Sequence, residues 1–243
     1  VTTRLTPAIG PLAALLVASL TLAGCGHHAQ ITSAPPPPRI APNPAPPGGI
    51  SEEDQEFIAT HRPIYREEGF ATWYDAPYTG RKAANGQPFD RNAFTAAHRT
   101  LPMGSLLVVT NQKTHQSSII RVTDRGPFVK GRTIDLSIAS AKATGVYRAG
   151  LAPVQIDVYK TPHPMFSGGR WCVQIGVFEH SGRAIALRNQ LQRKYPDSQV
   201  LEFTGDTGYW VRIRPAGDNR EAAERIAARL KPAEGDAFLT RLD

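Results

Sequence analysis

The hydrophobic and polar positions change rhythm several times along the chain. An apolar run, Leu12 to Leu20, follows a single Arg4. It is too short to span a bilayer comfortably, which takes about 20 apolar residues. Residues 26–50 then hold Pro35 to Pro38, Pro42, Pro44, Pro46, Pro47, Gly48 and Gly49, the composition of a semi-rigid polyproline spacer. Ser51 followed by Glu52, Glu53 and Asp54 predicts an N-capped helix reaching His61, within a short helical segment, 51–66. From Gly69 the pattern turns to β. Strands are predicted at Phe70–Tyr74, Leu106–Thr110, Ser118–Val122, Thr133–Leu136 and Val154–Tyr159, with a small helix, Ile138–Thr144, capped by Ser137. Several strands and one or two short helices over 69–160 suggest a small β-barrel. A linker, 161–169, contains Pro162, Pro164, Gly168 and Gly169. Residues 170–243 then read β-α-β-β-α-β, the order of a split βαβ unit. Its strands are Trp171–Phe178, Val200–Phe203, Tyr209–Arg214 and Ala237–Leu242. One helix opens at Ser181, with Ala184, Leu187 and Leu191 on one face. The other runs Asn219–Leu230, with Ala222, Ile226 and Leu230.

Small residues after the apolar run make 1–24 a secretory signal. Leu22-Ala23-Gly24-Cys25 resembles a bacterial lipobox. That resemblance implies cleavage before Cys25, a diacylglycerol thioether on its sulfur and a further acyl chain on the new amino terminus. Several acyl chains suffice for stable anchoring. Gly26, rather than Asp, follows the cysteine, so the expected address is the outer membrane, facing the periplasm. With Cys25 lipidated, Cys172 is left alone, and no Cys/His cluster has zinc spacing. His27 and His28 read as solvated.

Charge narrows the partners. The chain carries +7, unevenly spread: residues 69–160 hold twelve Lys/Arg against five Asp/Glu. A basic surface suits nucleic acid, an anionic membrane or an acidic polymer. Export argues against nucleic acid, leaving peptidoglycan, with its lactyl and peptide carboxylates, as the acidic polymer within reach.

Glycosidic cleavage needs a proton on the leaving oxygen, normally from a carboxylic acid. Segment 69–160 offers Asp75, Asp90, Asp124, Asp135 and Asp157. Asp157 lies in the final strand and Asp75 at a strand end, where surface or turn roles are expected. Asp124 ends an apolar strand before Arg125-Gly126-Pro127, where a scaffold presents a side chain into a cleft; the alternative is a loop cap paired with Arg125. Asp135 lies beside the cleft or holds Arg132 or His98. His98 is read equally as a structural or a catalytic group.

Two blocks carry a family resemblance. One is Ala84-Asn85-Gly86-Gln87-Pro88-Phe89-Asp90, followed by Thr95-Ala96-Ala97-His98 and Leu101-Pro102-Met103-Gly104. The other is Arg121-Val122-Thr123-Asp124-Arg125-Gly126-Pro127-Phe128 with Gly131 to Ser137. With Trp73-Tyr74 they resemble the double-psi β-barrel of the rare lipoprotein A family, the septal-ring lytic transglycosylases. The fold is also similar to that of expansins and certain β-glucanases. The resemblance implies cleavage between N-acetylmuramic acid and N-acetylglucosamine without metal or cofactor. The muramic 6-hydroxyl attacks in place of water and leaves a 1,6-anhydro end. Carried over by position, the family's catalytic Asp matches Asp124 and its His matches His98, but its Glu is replaced by Gln87. Either Asp124 works alone, Asp90 substitutes, or the barrel binds glycan without cutting it.

In the last segment, Val173-Gln174-Ile175-Gly176-Val177-Phe178 and Tyr209-Trp210-Val211-Arg212-Ile213-Arg214 resemble a SPOR domain, a family that binds glycan stripped of stem peptides at division sites. Alternation puts Val173, Ile175, Val177, Val211 and Ile213 against the helices. It puts Gln174, Trp210, Arg212 and Arg214 together on an open face, where an amide, an indole and guanidinium groups suit a carboxylate-bearing sugar polymer. The mixed β and α+β reading thus carries two functional hypotheses: a septal lytic transglycosylase on peptide-poor strands, or a non-catalytic lipoprotein tethering the outer membrane to glycan. A plain adaptor among division-ring proteins is a third.

Overall fold

The computed structural model describes residues 50–75, 78–202 and 208–243. The signal segment, Cys25, His27 and His28 and nearly all of the proline-rich spacer lie outside the described residues. So does Phe203.

The first element is α1, Glu52–Thr60. Ser51 Oγ accepts from the Asp54 amide and Asp54 Oδ2 accepts from the Ser51 amide, both at 3.1 Å, which satisfies two of the free donors of the first turn reciprocally. Six strands follow: β1 Tyr65–Trp73, β2 Thr95–His98, β3 Leu106–Asn111, β4 Ser117–Asp124, β5 Ile134–Leu136 and β6 Ala152–Lys160. Two short helices, α2 Ile138–Ala143 and α3 Val146–Ala149, lie between the last two strands. The strands close into a barrel in the order β1-β5-β2-β4-β3-β6. β1 runs parallel to β5 and β2 parallel to β4, while the other pairs are antiparallel.

Alternation fills the barrel. Leu107 and Val109, Ile120 and Val122, Ile134 and Leu136, and Val154, Ile156 and Val158 point into one shared core. Leu106, Val108 and Ile119 point outward, yet they are buried with Phe94 and with Ile50 and Ile58, which flank and belong to α1. The continuous apolar runs of β3 and β4 therefore reflect burial on both faces. Asp54 fixes the helix there through an ion pair with Arg121 of β4.

The second domain holds β7 Trp171–Phe178, α4 Ser181–Gln192, β8 Gln199–Glu202, β9 Tyr209–Ile213, α5 Arg220–Arg229 and β10 Asp236–Arg241. Its sheet is ordered β10-β7-β9-β8. Trp171, Val173, Ile175, Phe178, Val211 and Ile213 pack with Ala184 of α4 and Ala223 of α5. On α5 the packed face is Ala223, Ile226, Ala227 and Leu230, so Ala223 takes the place expected for Ala222.

Two strand expectations are corrected. β1 begins at Tyr65 rather than Phe70, which brings Glu67 and Glu68 into the barrel wall. In β7 the pairing with β9 slips between Ile175 and Phe178. An extra residue in a strand inverts the alternation beyond it. Val177, expected in the core, is therefore exposed, and Phe178 is buried instead.

Candidate active site

Three elements converge at one end of the barrel. Asp124 is the last residue of β4, Asp135 sits in β5, and Tyr74 directly follows β1, its amide donating to the Leu136 carbonyl at 3.0 Å. A turn over residues 80–89 folds onto them. The Ala84 amide donates to Asp124 Oδ1 at 2.9 Å, and the Asn85 amide donates to the Thr123 carbonyl at 3.1 Å. Gly86 takes φ of 86°, a left-handed conformation that glycine adopts without strain. Phe89, buried, stacks on Tyr74 with ring centroids 4.5 Å apart.

Asp124 Oδ1 also accepts from the Arg125 amide at 2.8 Å. With Oδ1 taken by two N–H donors, a proton on this carboxyl belongs on Oδ2. Burial raises the Asp124 pKa; the two amides and the Arg125 charge pull it only partly back. Asp135 is raised as well, chiefly by burial, with the nearby Asp124 adding to it, against the Thr72 hydroxyl that donates to its carboxylate and the charges of Arg132 and Arg99. Burial, Asp124 and Asp135 together push the Tyr74 phenol well above its usual range. Its hydroxyl oxygen is enclosed and has no hydrogen-bond partner among the described residues.

Arg125 is turned away from the carboxylate beside it. Its Nη1 donates to the carbonyls of His98 (3.0 Å) and Leu101 (2.7 Å), its Nε to that of Arg241 (2.6 Å) and its Nη2 to the main-chain oxygen of Asp243 (2.6 Å). Burial, then the charge of Arg241, brings its pKa down to about 10. Of the expected alternative, a loop cap paired with Arg125, the structure holds the cap, through the Ala84 and Arg125 amides, and no side-chain ion pair with Arg125 among the described residues.

The remaining candidates are placed differently. His98 is 3% exposed. Its Nδ1 accepts from the amides of Thr100 (3.2 Å) and Leu101 (3.1 Å), so the ring proton sits on Nε2, 3.3 Å from Glu67 Oε2. Burial lowers the His98 pKa, working against the neighbouring Glu67. Gln87 is exposed on the turn that Ala84 docks to Asp124; its side-chain oxygen accepts from Asn85 Nδ2 at 3.4 Å. Asp90 is exposed and caps a turn, Oδ1 accepting from the Asn92 amide at 2.8 Å. Asp75 pairs with Arg91 at 2.6 Å. Asp157 is buried rather than at a surface or turn, paired with Arg66 across β1 and β6 at 2.6 Å.

In the second domain the face expected to be open is partly covered. Gln174 is 1% exposed. Its Oε1 accepts from Arg212 Nη2 at 3.0 Å, whereas Gln174 Nε2 and Arg212 Nε are buried donors with no partner among the described residues. Phe128 of the barrel packs edge-on against Trp210 (4.9 Å) and Phe238 (6.0 Å). Arg212 is half-buried. Arg214 is exposed and pairs with Asp218 at 2.5 Å. Cys172 lies buried, its thiol pushed up to about 11 by burial, and is not a reactive thiolate.

A family model described as lytic transglycolase matches residues 66–156, and a SPOR domain model matches residues 167–241. Both models fall on the two units just described, in the order that the resemblance implied. The chain carries both domains in that order and is similar to RlpA proteins. An RlpA named as an endolytic peptidoglycan transglycosylase from Helicobacter pylori (strain ATCC 700392 / 26695) is 31% identical over 202 residues, covering 72% of this chain and 63% of its own. One of the same description from Campylobacter jejuni is 35% identical over 154 residues, 53% of this chain and 56% of its own. A probable one from Synechocystis is 49% identical over 90 residues, 37% of this chain and 28% of its own. The chain spans less than two thirds of the length of each of these RlpA relatives.

The sequence reading missed Glu67 and the unpartnered hydroxyl of Tyr74. Glu67 fell outside a barrel taken to begin at Gly69. Tyr74 was noted only as part of a motif, since nothing in the sequence marks a phenol as enclosed.

Proposed function

We propose that the barrel is a lytic transglycosylase acting on peptide-poor glycan, with Asp124 as its acid. The observation that carries this is a half-buried carboxyl with one oxygen pinned by two amides and its neighbouring guanidinium turned away. Such a group keeps its proton more readily than a free carboxylate. Asp124 Oδ2–H gives its proton to the oxygen between N-acetylmuramic acid and N-acetylglucosamine as the C1–O bond breaks. The muramic 6-hydroxyl oxygen bonds to C1, and its proton returns to Asp124 Oδ2. One carboxyl serves both steps because the nucleophile belongs to the substrate. Burial, rather than Asp135, keeps the proton on Asp124, and Asp135 stays protonated beside it. His98 holds the β2 turn and Glu67, Gln87 offers an amide to the strand, and Asp90 shapes the turn.

The C-terminal domain contacts glycan through Trp210, Arg212 and Arg214. Gln174 holds Arg212 from beneath, and the unpartnered Gln174 Nε2 and Arg212 Nε seek acceptors such as a lactyl carboxylate or an acetamide carbonyl. Cys25 carries the lipid that places the protein at the outer membrane, facing the periplasm, and the C-terminal domain enriches it at the septum beside division-ring proteins. Gln87 supports a second reading, a tether that binds without cutting, because an amide has no acidic proton to give.

Incubating the protein with peptide-free glycan strands and analysing the products by mass spectrometry separates the two. Cleavage yields 1,6-anhydro-muramic ends; strands that are bound but stay intact leave the tether.

A further inference from the structure

The Arg125 guanidinium is shared between the two domains. Two of its four acceptors, the His98 and Leu101 carbonyls, belong to the barrel, and two, at Arg241 and Asp243, belong to the end of β10. β10 is an edge strand, and its last residue is bonded to the barrel: the Arg241 amide donates to the Arg99 carbonyl at 2.9 Å. Arg99 in turn donates to the carbonyls of Pro127 and Arg132, both at 2.7 Å, and lies over the Phe238 ring. Phe128, three residues from Arg125, is wedged against Trp210 and Phe238. The segment after Asp124 is therefore fixed from both sides, and the direction Arg125 points depends on the second domain being docked.

We propose that Arg125 is a positioning residue through which the docked C-terminal domain keeps a cation away from the barrel's acid. Undocking removes the acceptors at Arg241 and Asp243. A half-buried guanidinium that loses half of its acceptors is released to turn to an anion close by, and its chain neighbour is Asp124. Asp124 also faces Asp135 from β5 and Tyr74 beyond β1. Arg125 faces Arg241 and Asp243 at the end of β10, Cys172 of β7, and His98 of β2. Of these, Arg125 is the cation with the shortest covalent reach to Asp124. The C-terminal domain is then part of the acid's environment as well as a targeting module.

This rests on Asp124 as the acid, but its test does not require cleavage. In the full chain, the Asp124 carboxyl carbon is titrated by NMR in the wild type and in Phe128→Ala, with hydrogen exchange at the Arg241 amide reporting docking. Where Phe128→Ala undocks, the Asp124 midpoint falls by about one unit or more, the size of effect that a cation within about 4–6 Å exerts. Adding Arg125→Gln brings the midpoint back to that of Arg125→Gln alone in the docked chain. Phe128→Leu, a milder change, gives the same direction if Phe128→Ala does not fold. An unchanged midpoint in a variant whose Arg241 amide has lost protection overturns the proposal, as does a fall that persists with Arg125→Gln. If the wild type makes no anhydro product, the reading of function fails while the titration still decides the coupling.

Discussion

A carboxyl whose pKa burial has raised destabilises the folded state wherever it must ionise. Asp124 contributes nothing below its unfolded value of 3.8, and its cost grows as pH rises through its higher folded value, reaching full size above it. Asp124→Asn keeps an oxygen for the Ala84 and Arg125 amides. It is expected to raise the melting temperature at neutral pH, with the gain vanishing on acidification below the unfolded value. Scanning calorimetry at two pH values checks both the sign and the window. For His98, two backbone donors lose their acceptor on truncation, and buried unmet donors cost about 1–3 kcal/mol each. His98→Ala should therefore destabilise by about 2–6 kcal/mol in urea unfolding. Wild-type stability with lost cleavage would make the ring catalytic instead. Gln87→Glu restores the family's carboxyl on the turn docked to Asp124, so the cleavage rate should rise about tenfold or more. Asp124 was legible because so few carboxylates compete for the role. The direction of Arg125 was not, since two of its four acceptors are main-chain oxygens more than a hundred residues away and the other two are carbonyls of the β2 turn.

Among the elements, local signals were read well and tertiary ones poorly. Ser51 with the acids after it announced α1 and its cap, and Ser137 caps its helix as its position suggested, while Asn219, expected as a helical residue, caps its helix instead. The β7 irregularity had no such mark, because a bulge is decided by pairing with β9 rather than by the residues of β7 alone. Ser51→Ala removes the hydroxyl that caps α1 and should cost about 1 kcal/mol in denaturant unfolding. The Asp54 pKa is lowered, since the Ser51 amide and Arg121 outweigh its burial. Its contribution is present above the ordinary carboxylate value and is lost as pH falls through the lower folded one.

At the scale of the molecule, the succession of barrel and split βαβ unit was plain from the change of rhythm near residue 169. Their docking was not, because Phe128 and Phe238 belong to no periodic pattern and meet only in three dimensions. Phe128 of the docked barrel covers part of Trp210, so the C-terminal domain alone should bind peptide-free strands more tightly than the full chain; calorimetric titration of both compares them. The central claim is that Asp124 gives the proton that breaks the glycan. Its most direct test is to count 1,6-anhydro-muramic ends by mass spectrometry after equal exposure of peptide-free strands to the wild type and to Asp124→Asn. The wild type is expected to produce them, and Asp124→Asn to lose about 100-fold or more of that rate while still binding the strands. Full turnover by Asp124→Asn would contradict it.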